Sequence, residues 1–398
     1  MANHGERETD LNSDTPPIQA SLPSGSIPAT SRFVFVDGLR GFAALAIVVF
    51  HIWWYEPYPW PALESAPAIF DAVFLRLRGG VQILLVISGF VIAYTLRNLW
   101  VTPREIASFV VRRIVRLVPA YWVAIAIAIA TDALCARFLE LPSPFDDRVS
   151  ALRLLAHLMF SQDAFGYESL SAGMWTVCIE MQFYVVAVFG WGAAQRLTSK
   201  SRTGEAKTSA VGLLLTFAPL SLYSFFHWHR LDTTMPWVTH FLWFFFLGMA
   251  TWWTLDRTIS VWVFCITIGV VIGQLFVEWE IANAIAVGTA ILIFIAGRMD
   301  RLNVWLNWRW LQYLGRISYS LYLIHYSISH LLIHGGWKLF ENTPSAAQAC
   351  GILSFSVVSS VLAGHILYIA VEAPSVRWAA KIKLKANLID LHGAPARN

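Results

Sequence analysis

Apolar stretches of membrane-spanning length recur along the chain after its first 32 residues, with short polar segments between them. A helix rises about 1.5 Å per residue, so about 20 apolar residues are needed to cross the hydrocarbon core of a bilayer. The runs that meet this length are 38–55, 78–97, 113–132, 174–195, 209–228, 236–255, 259–277, 281–297, 317–334 and 347–371. The pattern predicts an all-α, polytopic membrane helix bundle with about ten transmembrane helices.

Composition and charge agree with this prediction. The chain is 57% hydrophobic and only 14% charged, whereas about a quarter of the residues of an ordinary soluble domain are charged. An even number of spans puts both termini on one side. If that side is the cytoplasm, most of the 29 Lys and Arg residues fall on the cytoplasmic side, where such residues collect. We therefore predict an N-in and C-in topology.

The polar ends of the chain define the predicted domain organisation. Residues 1–32 are rich in Ser, Pro, Asn and Asp and lack the apolar core of a signal peptide, which predicts a disordered cytoplasmic tail. Residues 33–380 form the predicted transmembrane domain, and 381–398 a short cytoplasmic tail. The four cysteines show no CxxC spacing, so we expect no metal site. No basic, aromatic pattern indicates nucleic acid.

The first predicted span carries three ionisable groups, Asp37, Arg40 and His51. The step from Arg40 to His51 corresponds to about three helical turns, which puts both on one face roughly 16 Å apart. A charged group inside a bilayer costs about 2.5–3.5 kcal/mol and persists where it faces a protein interior or a water-filled path. We predict a functional polar channel. The alternative is that Asp37 caps the helix and the two basic residues lie at the membrane interfaces.

A carboxylate in the fourth predicted span lies at the depth of His51. Glu180, within MWTVCIEMQFYVV, falls about one turn below the outer surface if the topology is N-in. A carboxylate beside a histidine fixes the imidazole tautomer and stabilises the imidazolium, which suits general-base chemistry. We predict that Glu180 orients His51 as a catalytic base. The alternative is a buried ion pair that only sets helix register.

Basic residues collect at the cytoplasmic ends of several predicted spans. The group comprises Arg40, Arg112, Arg113, Arg116 and Arg316, with Glu372 at the end of the tenth span. Guanidinium groups bind phosphate bidentately, so the group predicts a phosphorylated cofactor that enters from the cytoplasm. Positive-inside anchoring explains Arg112 or Arg113 well. It explains Arg40 and Arg116 poorly, because these two lie past the apolar boundary. Asp37 and Glu372 are the expected neutralising partners.

Other polar residues within apolar runs are supporting candidates. Ser88 lies in the second predicted span, and Tyr322 and His325 share one face of the ninth. Ser88 and His325 could bind substrate, although interhelical hydrogen bonds are the commoner use of such residues. His157 lies in a short amphipathic stretch of the long outer segment 133–173. We interpret it as a packing or interfacial residue.

Six sequence blocks, in order, resemble the motifs of the acyltransferase-3 family of integral membrane O-acyltransferases. The blocks are FVDGLRGFAALAIVVFH, GGVQILLVISGFVIA, RRIVRLVPAYW, MWTVCIEMQFY, ISYSLYLIHY and YIAVEAPSVRW. The resemblance covers nearly all of the chain after the first tail. It implies a ten-helix domain that moves an acyl group, usually acetyl, from acyl-CoA to a hydroxyl of a sugar-containing acceptor.

The resemblance also assigns roles to residues of this chain. His51 matches the catalytic histidine of the family, Arg40 its paired basic residue, Arg113 and Arg116 the basic motif before the third span, and Glu180 the glutamate of the fourth. The chain departs from the family pattern beside Glu180, where Cys178 and Met181 replace the more usual Ser or acidic residue, and at Gln82, a position that is more often apolar. These departures affect acceptor preference more than reaction class.

The expected partners are the lipid bilayer, acyl-CoA (most simply acetyl-CoA) as co-substrate, and a glycan, polysaccharide or glycosylated small molecule as acceptor. The expected location is the bacterial inner membrane. The rival interpretation is a transporter or flippase in which His51 and Glu180 form a proton relay and no group is transferred.

Overall fold

The structure is a computed structural model that describes residues 33–54, 68–97, 102–141, 150–198, 206–227 and 237–382. The regular secondary structure of these residues is entirely helical. The predicted tail 1–32 lies outside the described residues, as does 381–398 beyond Ile382.

Thirteen α-helices occur in the described ranges. They are α1 (Val34–Trp54), α2 (Ala68–Arg76), α3 (Gly80–Leu96), α4 (Pro103–Leu139), α5 (Ala151–Leu158), α6 (Met174–Thr198), α7 (Ala206–Phe226), α8 (Val238–Leu255), α9 (Val261–Val277), α10 (Ile281–Arg298), α11 (Arg309–Leu339), α12 (Ala346–Leu367) and α13 (Ala373–Lys381). A π-helical turn, Tyr368–Glu372, joins α12 to α13. Leu77–Gly79 and Asp163–Phe165 are short 3₁₀ helices.

The predicted membrane helix bundle is confirmed as an all-helical architecture. The predicted apolar runs coincide largely with helices. In chain order these are α1, α3, α4, α6 and the six helices α7 to α12. In the part of the chain that the structure describes, 7 helical segments are long and apolar enough to cross a membrane. The helix α11 is outside this set because it carries many polar side chains. Several of those residues, among them Ser320, His325 and Ser329, are buried in the protein, so these side chains of α11 do not face lipid.

The helix α11 packs against three other helices, α1, α4 and α12. A Cβ on Gly41 would lie 2.5 Å from the Leu311 carbonyl oxygen, and a Cβ on Gly315 would collide with the Asp37 carbonyl oxygen. Small residues therefore allow the backbones of α1 and α11 to approach closely. This approach places the last turn of α1, with His51, beside the middle of α11.

A reciprocal pair of glycines joins α3 to α8. Gly89 of α3 faces the backbone of Phe245, and Gly248 of α8 faces the backbone of Val86. In both cases an added Cβ would collide with a carbonyl oxygen. Because backbone atoms cannot move aside as the end of a side chain can, the crossing of α3 and α8 depends on both glycines.

We expect Gly248→Ala to destabilise the bundle, because the new methyl group forces α8 away from α3. Overpacking of this kind costs about 1–3 kcal/mol. The apparent melting temperature of the detergent-solubilised protein should fall by several degrees. Gly269→Ala is the matched control, since a Cβ on Gly269 in α9 meets nothing within 4 Å. Equal melting temperatures for the two variants would contradict the close crossing.

Candidate active site

An inner cavity lies between α1, α3, α4, α6 and α11. Its polar lining comprises Arg40, Ser88, Arg113, Arg116, Thr176, Glu180, Tyr184, Ser318, Tyr319 and Tyr322. Three guanidinium groups and one carboxylate thus face one space in the part of the chain that the structure describes. The excess of positive charge suits an anionic ligand.

The arginines of this cavity come from two helices. The helix α4 begins with a capping box in which Thr102 and Glu105 each bond to the other's backbone N–H. About three turns further on, α4 presents Arg113 and Arg116. Arg116 interacts electrostatically with Arg40 and Arg113, and its Nε is buried with no hydrogen-bond partner among the described residues. An oxyanion would satisfy such a donor.

Glu372 is the countercharge of the arginine cluster, as the sequence predicts. Its side chain is 5% exposed and lies in the π-helical turn after α12. It accepts hydrogen bonds from Ser320, at 3.2 Å from the backbone N and at 2.5 Å from Oγ, and it interacts electrostatically with Arg116 and Arg40. Asp37 is buried in the first turn of α1, and Arg316 is exposed and does not line the inner cavity.

Glu180 belongs to the inner cavity, which corrects one sequence prediction. Its Oε1 accepts hydrogen bonds from Ser88 Oγ at 2.7 Å and from the Tyr184 hydroxyl. The Tyr184 ring in turn stacks against the Arg113 guanidinium, whose Cζ lies 4.2 Å from the ring centroid. The carboxylate is thus tied to the arginine cluster rather than to His51. Equal depth in the membrane did not imply the same side of α1.

His325 is the neighbour of His51. His325 Nε2 lies 3.0 Å from His51 Nδ1, and the two rings are buried, at 0% and 8% exposure. His325 Nδ1 lies 2.8 Å from the Tyr322 carbonyl oxygen, and His51 Nδ1 lies 2.8 Å from the Ile47 carbonyl oxygen. A carbonyl oxygen only accepts, so each Nδ1 carries a hydrogen. The lone pair of His51 is then on Nε2, the nitrogen that acts as a base in this tautomer.

His51 lines a second, outer cavity. Its polar and aromatic lining comprises His51, Arg78, Gln82, Arg153, Glu168, Ser169, Ser171, Trp175, Glu280, Tyr322 and Tyr326. The formal charges of two arginines and two glutamates balance. This cavity therefore differs from the inner one, whose charge is positive.

The outer cavity is lined by buried polar atoms that have no hydrogen-bond partner among the described residues. They include Gln82 Oε1, Ser169 Oγ and Ser171 Oγ. An unsatisfied buried polar group costs about 1–3 kcal/mol, so water or a ligand must meet these atoms. Gln82 stands at a position where the acyltransferase-3 pattern more often has an apolar residue. Hydroxyl and amide groups can both donate and accept, which matches the hydrogen-bonding capacity of a ligand hydroxyl.

The two cavities meet at Val81 and Tyr322, which line both. The Tyr322 hydroxyl lies 2.6 Å from Thr176 Oγ1, and Thr176 Oγ1 donates to the Gly173 carbonyl at 3.1 Å. Arg40 therefore lines one of two neighbouring cavities and His51 the other. The polar channel along α1 stays a prediction.

His157 has a structural role, in agreement with the sequence interpretation. Its Nδ1 lies 2.9 Å from the Arg153 carbonyl oxygen, and its Nε2 accepts from the Leu170 N–H at 3.2 Å. Both ring nitrogens are thereby used, and burial lowers the pKa of this imidazole. The neutral ring ties α5 to the segment that holds Ser169 and Ser171.

Sequence reasoning missed Tyr184, Thr176, Ser169 and Ser171. The four-residue step from Glu180 to Tyr184 is a helical neighbour spacing that could have indicated their contact. The two serines carry no local signal, because only the fold of the 161–173 segment brings them to the cavity. No group of three or more His, Cys, Asp or Glu side chains in the described ranges could hold a metal ion.

The helices define a multi-pass integral membrane protein that encloses an arginine-lined inner cavity and an outer cavity beside a buried histidine. The family model described as "Acyltransferase domain" (acyltransferase-3) matches residues 33–365. The chain therefore belongs to the acyltransferase-3 family.

Relatives with curated descriptions are bacterial. The chain is 26% identical over 372 residues to a protein of Komagataeibacter xylinus described, provisionally, as membrane-bound transacylase BcsY, covering 88% of this chain and 85% of the relative. It is 23% identical to nodulation protein 10 of Rhizobium leguminosarum bv. viciae, covering 81% and 91%. It is 25% identical to peptidoglycan O-acetyltransferase OatA of Listeria monocytogenes, covering 46% and 29%. No solved structure matches the chain.

Proposed function

We propose that the protein transfers an acyl group, acetyl in the simplest case, from acyl-CoA to a hydroxyl of a carbohydrate acceptor. The observation that carries this proposal is the meeting of the two cavities at Tyr322, with the arginine cluster in one and His51 in the other. A donor with a phosphorylated end and an acceptor with a hydroxyl would react where the cavities join.

The inner cavity is the proposed donor site. The phosphates of CoA bind Arg40, Arg113 and Arg116, because guanidinium groups form paired hydrogen bonds with phosphate oxygens. Glu180 accepts a hydrogen bond from the donor arm. In a ten-helix, N-in and C-in topology this cavity opens toward the cytoplasm, where acyl-CoA is found. The excess of Lys and Arg on that side supports this orientation.

His51 is the proposed general base. Its Nε2 takes the proton of the acceptor hydroxyl, and the Ile47 carbonyl holds its Nδ1–H. His325 lies against Nδ1 and fixes the plane of the ring, which is the orienting role that Glu180 was predicted to have. General-base catalysis of this kind contributes about 10²- to 10⁴-fold to a rate.

The outer cavity is the proposed acceptor site, facing the outside of a bacterial inner membrane. Its balanced charges favour a neutral sugar unit, and the buried atoms of Gln82, Ser169 and Ser171 supply hydrogen bonds to hydroxyls. Trp175 provides an aromatic wall. The relative named peptidoglycan O-acetyltransferase supports a glycan acceptor.

We expect His51→Ala to lower acetyl transfer at least about 100-fold, because the variant lacks the proposed general base. The assay supplies labelled acetyl-CoA and a panel of methyl glycosides to the protein in lipid nanodiscs. His365→Ala, on α12 outside both cavities, is the matched control and should retain normal transfer. Full activity of His51→Ala would contradict the catalytic role.

The same preparation separates an enzyme from a transporter. Acetyl-CoA should raise the melting temperature of the wild-type protein by mass action, and Arg116→Ala should reduce that rise. If no acyl-CoA stabilises the wild type and no glycoside is acetylated, acyl transfer from acyl-CoA to these glycosides is excluded and a transporter becomes the better interpretation.

We expect Ser171→Ala and Gln82→Leu each to raise the KM for the acceptor glycoside about 2- to 10-fold. Each removes one hydrogen bond, worth about 0.5–1.5 kcal/mol. The KM for acetyl-CoA should not change. Ser356→Ala is the control, because the Ser356 hydroxyl donates to the Ile352 carbonyl within α12. A raised KM for acetyl-CoA with an unchanged KM for the glycoside would place the acceptor elsewhere.

A further inference from the structure

Tyr322 is the polar residue at the junction of the two cavities. Of the residues that line both, Val81 is apolar and Tyr322 carries a hydroxyl. If the donor fills the inner cavity and the acceptor the outer one, the carbonyl carbon of the thioester lies at this junction when the acceptor attacks it. Any protein group that stabilises the carbonyl oxygen in the transition state must be found there.

The other hydroxyls of the inner cavity already donate to protein oxygens away from the junction. Ser88 and Tyr184 donate to Glu180, and Ser318 donates to the Gly315 carbonyl. Tyr319 donates to the Leu117 carbonyl at 2.9 Å. None of them lines the outer cavity.

The hydrogen of Tyr322 can be redirected to a ligand without movement of the ring. Thr176 donates to the Gly173 carbonyl, which only accepts, so Tyr322 is the donor to Thr176 Oγ1. Rotation about the bond between the ring and the hydroxyl oxygen turns this hydrogen toward a carbonyl oxygen at the junction. The hydroxyl then donates to a carbonyl oxygen that becomes negatively charged, in place of the neutral Thr176 Oγ1. Charge-assisted hydrogen bonds are about twice as strong as neutral ones.

The Tyr322 ring is held in place from two sides. A Cβ on Gly173 would lie 3.1 Å from ring atom Cε1 and 3.2 Å from Cδ1, so the chain at Gly173 packs directly on the ring. The Tyr322 carbonyl oxygen accepts from His325 Nδ1, and His325 contacts His51. One hydrogen-bonded network therefore positions both Tyr322 and the proposed base. Such preorganisation is what makes an oxyanion donor effective.

We propose that Tyr322 is a catalytic residue whose hydroxyl stabilises the oxyanion formed on the thioester during acyl transfer; this inference rests on the proposed function. The acceptor hydroxyl gives its proton to His51 Nε2, and its oxygen bonds to the thioester carbon. The C=O electron pair moves onto the carbonyl oxygen, which Tyr322 holds. When the C=O bond re-forms, the C–S bond breaks. The CoA thiolate takes the proton from His51, which yields an ester and free CoA.

The experiment compares Tyr322→Phe with the wild type in nanodiscs, with labelled acetyl-CoA and the methyl glycoside that the wild type acetylates fastest. Removal of one oxyanion donor lowers kcat about 10²- to 10³-fold. The KM for acetyl-CoA and the rise in melting temperature with acetyl-CoA should stay as in the wild type. Tyr313→Phe, on the same helix but outside both cavities, should keep wild-type kcat.

Two results would overturn the assignment. A kcat within a few-fold of the wild type would show that the hydroxyl is not needed. Faster hydrolysis of acetyl-CoA without acceptor, with unchanged kcat for transfer, would show that Tyr322 only closes the passage. If the wild type acetylates no glycoside and acetyl-CoA does not stabilise it, the proposed function fails, and this inference fails with it. If the wild type is active and Tyr322→Phe is equally active, only this inference fails.

A second variant covers the case in which Tyr322→Phe does not fold. Incorporation of 3-fluorotyrosine at position 322 keeps the shape and the hydroxyl but makes it a stronger donor. The kcat should change at position 322 and stay constant for the same replacement at position 313. An equal response at both positions would also overturn the assignment.

Discussion

Ionisable side chains remain inside a membrane helix bundle only where protein groups replace the water that they lose. In this protein that replacement is made by paired groups on facing helices. His51 of α1 is held by His325 of α11 and by a backbone carbonyl, and Arg116 of α4 faces Glu372 after α12. The central position of α11 makes both arrangements possible, because it contacts α1, α4 and α12 together. The close approach of α1 and α11 at Gly41 and Gly315 is therefore a condition for the site.

The separation of the polar interior into two cavities follows from the same packing. The inner cavity collects arginines from α1 and α4, and the outer cavity collects neutral and charge-balanced groups around His51. In the proposed mechanism, two reactants of different charge approach from opposite sides and meet at Tyr322. The donor would then not have to move across the bilayer, because the acyl group alone passes the junction.

The positions of the helices could be predicted from sequence because each is a long apolar run, and the line from Arg40 to His51 could be predicted because helical geometry fixes it. The partner of His51 could not be predicted from the sequence. Depth in the membrane follows from residue number and topology, but the side of α1 that each neighbouring helix occupies depends on packing. The predicted topology puts Glu180 and His51 at similar depth, yet Glu180 lies with Ser88 and Tyr184. Ser169 and Ser171 reach the outer cavity through a nonhelical segment, for which periodicity gives no information.

We propose that donor and acceptor reach one junction from opposite sides of the membrane. Reconstitution of the protein in one orientation in sealed vesicles tests this sidedness, with labelled acetyl-CoA on the side of the arginine cluster and a membrane-impermeant glycoside on the other. We expect acetylated glycoside on the side opposite to acetyl-CoA, and free CoA on the side where acetyl-CoA is added. Transfer that occurs only when both reactants are on the same side would rule out the two-sided arrangement.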